Sequence, residues 1–127
     1  MAGRLPENVR LLIINHVENF DALDILLYLR REAPKRRTAE EIGTALKIPV
    51  GTVNRRLEAF NSAGFARSEE MSPRQWVFAG DPDQTRAVDD LAAWVARDRA
   101  TVINMVASRN LERMKSLANA FKLGGKS

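Results

Sequence analysis

The sequence predicts a mainly α chain with one small β-hairpin, an α+β arrangement of short helices, the hairpin and then C-terminal helices. Three observations lead there. From Pro6 to Ala63, apolar residues recur at helical spacing between identifiable caps. Over residues 65–78 the period drops to two, as half-buried strands require. From Asp83 to Ala107 neither glycine nor proline interrupts, which allows a helix of up to about 25 residues.

Pro6 opens the first helix, with Val9, Leu12, Ile13, His16 and Val17 on or near one stripe. Asn19 or Asp21 caps a second helix bearing Leu23, Leu26, Leu27 and Arg30 at helical spacing, its apolar face widened by Ile25 and Leu29. Pro34 ends it, and Lys35-Arg36-Arg37 form a basic connector. Thr38 and Glu41 have capping-box spacing for a helix over Ala39 to Leu46 that turns Ile42, Ala45 and Leu46 inward. After the turn Lys47-Ile48-Pro49, a fourth helix starts at Pro49 or Val50. Val53, Leu57 and Phe60 form its buried stripe, and Gly64 stops it.

Phe65–Glu69 and Gln75–Phe78 read as two strands around a turn signalled by Ser72-Pro73. Asp81-Pro82-Asp83 caps the C-terminal section. There Val88, Leu91, Val95, Val102 and Met105 or Val106 follow a spacing near 3.5, broken at Asp98 between Arg97 and Arg99. Ser108 then caps a short last helix carrying Leu111, Met114, Leu117, Ala118 and Phe121, stopped by Gly124-Gly125.

Composition narrows the function. The chain has 127 residues, 45% hydrophobic and 28% charged, which suits one domain with a core of its own. It has no cysteine, so disulfides, thiolate metal sites and cysteine nucleophiles are excluded. The apolar runs Leu11–Ile14 and Ile25–Leu27 fall far short of the roughly 20 residues that span a bilayer. No apolar signal core precedes Pro6, and the expected location is cytoplasmic, with no membrane partner. The net charge of +4 is mild and evenly spread: 12 Lys/Arg against 10 Asp/Glu over residues 1–80, and 8 against 6 thereafter.

No constellation suggests an enzyme, a cofactor or a metal. His16 is the single histidine, without ligand partners. The pairs Asp21/Asp24, Glu40/Glu41 and Asp89/Asp90 suit helix capping and solvation better than acid–base catalysis.

The run TAEEIGTALKIPVGTVNRRLEAFNSAGFARSE, Thr38 to Glu69, resembles the core of MarR-type, ArsR-type and related bacterial winged helix-turn-helix regulators. Thr52, Val53, Arg55, Leu57, Phe60, Gly64 and Phe65 stand at the places of their recognition-helix pattern. The segments ENFDALDILLYLRRE and VINMVASRNLERMKSLANAFKLGGK also resemble a group of small bacterial winged-helix proteins. The resemblance implies three segments: an N-terminal helix over 1–18, the winged helix-turn-helix domain over 19–80, and a C-terminal long helix and short helix over 81–127.

The resemblance further implies a sequence-specific DNA-binding regulator that reads double-stranded DNA with a recognition helix at about 50–63 and a short wing at about 65–78. On this mapping Val50, Gly51, Thr52, Asn54 and Arg55 face the bases, flanked by Arg56 and Glu58. Arg55 suits guanine and Asn54 adenine. Thr38, Arg36, Arg37 and Arg74 are the candidate phosphate contacts. Pro49 replaces the Ser or Thr cap common in the family, and Glu69 and Glu70 put negative charge on the wing, within a Debye length of any bound phosphate.

That negative charge motivates the alternative, a winged-helix module that binds a protein partner of the transcription or signalling machinery instead of DNA. The stripe of Val88, Leu91, Trp94, Val95, Val102 and Met105 has two readings as well. It packs within one chain, or it pairs with its copy in a homodimer suited to a pseudo-palindromic site.

Overall fold

The computed structural model describes residues 4–124. Its helices begin where a side chain or a proline can deal with the unpaired amides of a first turn. Helix α1 (Glu7–His16) follows Pro6. Helix α2 (Phe20–Glu32) is capped by Asn19, whose side-chain oxygen accepts from the Ala22 amide at 2.8 Å. A two-residue strand β1 (Arg37–Thr38) leads into α3 (Ala39–Leu46), where Thr38 and Glu41 complete the capping box in both directions. Helix α4 (Val50–Ala63) ends at Gly64, left-handed at φ 90°. Strands β2 (Ala66–Glu69) and β3 (Gln75–Phe78) follow. Helix α5 (Pro82–Arg97) carries a second capping box, Asp81 with Gln84, and α6 (Arg99–Gly124) completes the chain.

Four features differ from the sequence-based expectation. The basic connector is partly a strand, so the hairpin becomes a three-stranded antiparallel sheet of order β1-β3-β2, with Arg37 opposite Trp76. The expected helix through Ala107 is broken at Asp98. That carboxylate accepts from the Thr101 amide and hydroxyl, at 3.3 and 2.6 Å, and so caps a new helix. Helix α6 then runs past Ser108 without interruption. The Ser108 hydroxyl bonds back to the Met105 carbonyl, so it does not start a helix. Ala45 is exposed, whereas Ile42 is buried as expected. The Phe121 side chain and Gly125 lie outside the described residues.

One apolar core joins all three segments. Val9, Leu12, Ile13 and Val17 of the N-terminal segment meet Leu23, Leu26 and Leu29 of α2 and Val88, Leu91, Val102 and Val106 of α5 and α6. Two polar ties reinforce this. Asn8 donates to Asp90 at 2.9 Å, and Arg30 pairs with Asp89 at 2.8 Å, so that acidic pair links α5 to α1 and α2.

The C-terminal stripe therefore has a use inside the chain. Val88, Leu91 and Val102 are fully buried against its own helices and are not free to form a dimer seam. Trp94, Val95 and Met105 remain half-buried, with the Arg97 guanidinium 4.4 Å from the Trp94 ring centroid.

The most constrained polar contact joins the two ends of the chain. Arg109 of α6 is only 3% exposed, and its Nε and Nη2 donate to the carbonyls of Ile13 and Ile14 in the last turn of α1. A cation there also meets the negative end of the helix dipole. Arg109→Ala is expected to lower the unfolding free energy by about 2–4 kcal/mol, because it takes the guanidinium from the Ile14 carbonyl, leaves Ile13 with the Val17 amide alone and opens a cavity. Urea denaturation followed by circular dichroism measures this; a loss well under about 1 kcal/mol would show that α1 is held by other contacts.

Candidate nucleic-acid interface

Helix α4 divides its residues sharply between two faces. Val53, Leu57 and Phe60 are buried against the neighbouring helices. Successive residues advance by about 100° around a helix, so Gly51, Asn54, Arg55, Glu58 and Ser62 share one opposite stripe. All five are exposed, and Thr52 flanks them half-buried. Among the described residues Arg55 makes no ion pair, and its guanidinium is available for a bidentate contact.

Two glycines make this presentation possible in different ways. At Gly43 in α3, an added Cβ would lie 2.7 Å from the Ile48 carbonyl oxygen, so the absence of a side chain lets α3 and the turn before α4 approach closely. At Gly51 an added Cβ would meet nothing within 4 Å. The fold does not need that glycine, whose bare backbone lies on the exposed stripe at the positive end of α4.

The remaining basic candidates separate. Arg56 lies off the stripe: only 15% of its side chain is exposed, and its Nη1 pairs with Glu18 beside the start of α2. Its buried Nε has no partner among the described residues. Glu18 is held below the usual carboxylate range first by that hydrogen bond and, despite opposing desolvation, by the charges of Arg56, Arg109 and Arg113. Arg37 is half-buried and pairs with Glu32 at 2.8 Å. Thr38 is buried, and its hydroxyl accepts from the Glu41 amide at 3.1 Å. These three residues thus serve the scaffold and are placed away from the exposed face of α4.

Arg36 and Arg74 are exposed, but each is engaged. Arg36 reaches Glu69 of β2 at 3.3 Å, and Arg67 lies 3.9 Å from the same oxygen. Glu69 is therefore bracketed by two guanidinium groups and is not a bare negative charge; Glu70 is exposed. Arg74, at the end of the turn, donates to Glu58 of α4 at 2.7 Å and to the Ser68 hydroxyl at 2.9 Å. It also stacks 4.4 Å over the Trp76 ring.

His16 is half-buried with its ring edge-on to Phe65, centroids 5.0 Å apart, and Phe65 stands edge-on to Phe60 at 6.2 Å. Burial, and then the charge of Arg109, push the His16 pKa below its usual value, so the ring is a neutral packing element at the junction of α1, α4 and β2.

Sequence reasoning overlooked Glu18, Arg109 and the engagement of Glu58. Glu58 had a visible signal, since it follows Gly51, Asn54 and Arg55 at helical spacing. The other two act across long stretches of chain and leave no local mark.

No family model and no curated protein matches the sequence. Among solved structures, the chain is similar to the homodimeric winged helix-turn-helix DNA-binding domain of a Mycobacterium bovis protein described as a possible ArsR-family transcriptional regulator. That match has 24% identity and a TM-score of 0.53, covering 78% of this chain and 93% of the other. Reduced MarR from Escherichia coli matches with 13% identity and a TM-score of 0.52, over 94% and 96% of the two chains. MepR, a transcription regulator of the Staphylococcus aureus multidrug efflux pump MepA, matches with 18% identity and a TM-score of 0.51, over 93% and 89%. The fold is a winged helix-turn-helix. In the last two matches the likeness covers more than nine-tenths of the chain, so the terminal helices belong to the shared architecture.

The two glycines give a paired test. Gly43→Ala is expected to destabilise by about 1–3 kcal/mol, because the backbone oxygen of Ile48 must move. Gly51→Ala is expected to leave stability unchanged or raised by up to about 1 kcal/mol. Urea melts of both variants check this, and equal losses would contradict the packing described.

Proposed function

We propose that this winged helix-turn-helix chain is a DNA-binding transcriptional regulator that reads double-stranded DNA with the exposed stripe of α4. The observation that carries the reading is Arg55 with Asn54: two bidentate-capable side chains, exposed on one face, on a helix whose other face is locked into the core. Gly51 and the first amides of α4 allow the backbone to approach a phosphate. Two of the solved neighbours are described as a transcription regulator and as the DNA-binding domain of a possible one, which supports the same reading.

The competing protein-interaction reading rested on an acidic wing. Arg36 and Arg67 flank Glu69, so that surface is less negative than the sequence suggests. Trp76, the largest aromatic side chain of the wing, is 1% exposed and belongs to the core, so it offers a protein partner no surface.

We also infer a homodimer, and we place its contact away from the buried stripe. Leu11 of α1 and Met114 and Leu117 of α6, 43–69% exposed, border a shared groove, and Leu111 of α6 is exposed as well. Unpartnered apolar side chains so concentrated mark an association surface. The described Mycobacterium bovis domain is homodimeric, which favours the same arrangement. A two-fold pair would present two copies of α4 to half-sites about one helical turn, roughly 34–36 Å, apart.

Two measurements test these readings. Arg55→Ala is expected to weaken binding to a selected genomic site by about 1–3 kcal/mol and to relax preference at one base position. Fluorescence polarisation against genomic fragments at low salt checks this, and absence of any binding would sink the regulator. Met114→Glu with Leu117→Glu is expected to convert the dimer to monomer in sedimentation equilibrium while the circular dichroism spectrum is retained. A wild-type chain sedimenting at its monomer mass of 14.2 kDa would overturn the dimer.

A further inference from the structure

We propose that Glu58 is an internal stand-in for a DNA phosphate: it latches Arg74 of the wing to the recognition face, and DNA binding exchanges that carboxylate for a backbone phosphate. The inference rests on the DNA-binding reading above and adds to it a built-in competitor that sets affinity.

The geometry is specific. Glu58 lies on the same stripe as Gly51, Asn54 and Arg55, about 4.5 Å along the axis beyond Arg55. Its Oε1 accepts from Arg74 Nη1 at 2.7 Å, so the turn between β2 and β3 is held against that stripe. A duplex seated on Asn54 and Arg55 brings phosphates to within a Debye length of the Glu58 carboxylate, which repels them and already occupies the nearest wing guanidinium.

The two ends of the latch are held unequally. Arg74 is oriented independently of Glu58, by stacking 4.4 Å over Trp76 and by its 2.9 Å hydrogen bond to the Ser68 hydroxyl. Trp76 is itself buried in the core, so this platform is rigid. Glu58 has no second partner among the described residues. When it swings away, Arg74 stays in place, preorganised for another oxyanion. Side-chain exposures of 54% for Glu58 and 42% for Arg74 make the pair a wet one, and wet ion pairs contribute little to stability. The exchange therefore costs the fold little. The phosphate gained brings a charge-assisted contact and releases a counterion.

The test compares wild type, Glu58→Gln, Arg74→Ala and the double variant, each as the full chain, on a labelled mixed-sequence duplex of about 30 base pairs across a salt series. Glu58→Gln is expected to tighten binding about 3–10-fold with the log–log salt dependence changed by well under about 0.9, since Arg74 meets the same phosphate in both proteins. Arg74→Ala alone is expected to weaken binding about 3–10-fold and to lower the salt slope by about 0.9, and to abolish the gain in the Glu58→Gln background. A thermal melt within a few degrees of wild type for each variant excludes loss of folding.

Unchanged or weaker binding by Glu58→Gln, with wild type binding normally, overturns the latch and leaves the regulator standing. A gain that persists without Arg74 also overturns it, since simple charge removal then suffices. Binding by Glu58→Gln alone supports the latch, and absence of binding by both proteins removes the latch together with the DNA-binding reading.

Discussion

The Arg109 guanidinium, buried between the last turn of α1 and the body of α6, is the contact on which the rest of the molecule depends. Burying a cation is costly unless its donors are satisfied, and here the acceptors are two last-turn carbonyls of α1, that of Ile14 and that of Ile13, which also accepts from the Val17 amide. One side chain thus solves two problems, a naked helix end and a buried charge. Burial, and then the neighbouring charge of Arg113, lower the affinity of Arg109 for its proton. A lysine could not reach both carbonyls with comparable geometry, because its donors radiate from one point.

With α1 fixed to α6, the orientation of α4 follows. His16 and Val17, at the end of α1, stand beside the aromatic pair Phe60 and Phe65 that closes the bottom of α4 and starts the wing. Glu18, two residues further on, takes Arg56 from the shoulder of the same helix. The inner stripe of Val53, Leu57 and Phe60 fixes the depth of α4, and Arg56 restrains its rotation. What remains outward is the stripe with Gly51, Asn54, Arg55 and Glu58. The exposed face of α4 is therefore a consequence of contacts made at the N-terminal end of the chain, far from it in sequence.

Much of the scaffold was legible in the sequence because its causes are local. Thr38 with Glu41, Gly64 and Asp81 act within four residues of the ends they define, and the two-residue period over β2 and β3 is equally short-ranged. The break at Asp98 was visible as an interrupted stripe, but its meaning was not. An aspartate followed by Thr101 is both an ordinary exposed turn of a long helix and a cap for a new one, and tertiary packing of α6 on α1 decides. The candidate site was half legible. Helical spacing alone put Gly51, Asn54 and Arg55 on one face. The reassignment of Arg56, Arg37 and Thr38 to the scaffold needed Glu18, Glu32 and burial, which no spacing rule supplies. Likewise Val88, Leu91 and Val102 form an apolar stripe that suits a dimer seam and a core equally, and only the docking of α1 separates the two.

The charge pattern of the site bears on how such a protein would hold DNA. Of the arginines near α4 and the wing, Arg56 and Arg37 are committed to the scaffold, Arg36 and Arg67 share Glu69, and Arg74 shares Glu58. Arg55 alone is exposed on the stripe of α4 without an ion pair among the described residues. Affinity for duplex DNA scales with the number of phosphates neutralised, so a single copy with its wing arginines engaged would bind weakly and release readily. Weak half-site binding is compatible with function when two copies are linked, because the second contact becomes intramolecular and its effective concentration reaches the millimolar range. The apolar groove of α1 and α6 and the paired arginines of the wing are thus two parts of one design. On the proposed function, the first would supply avidity, and the second would keep each half from adhering to DNA by charge alone, leaving Asn54 and Arg55 to decide where the pair settles.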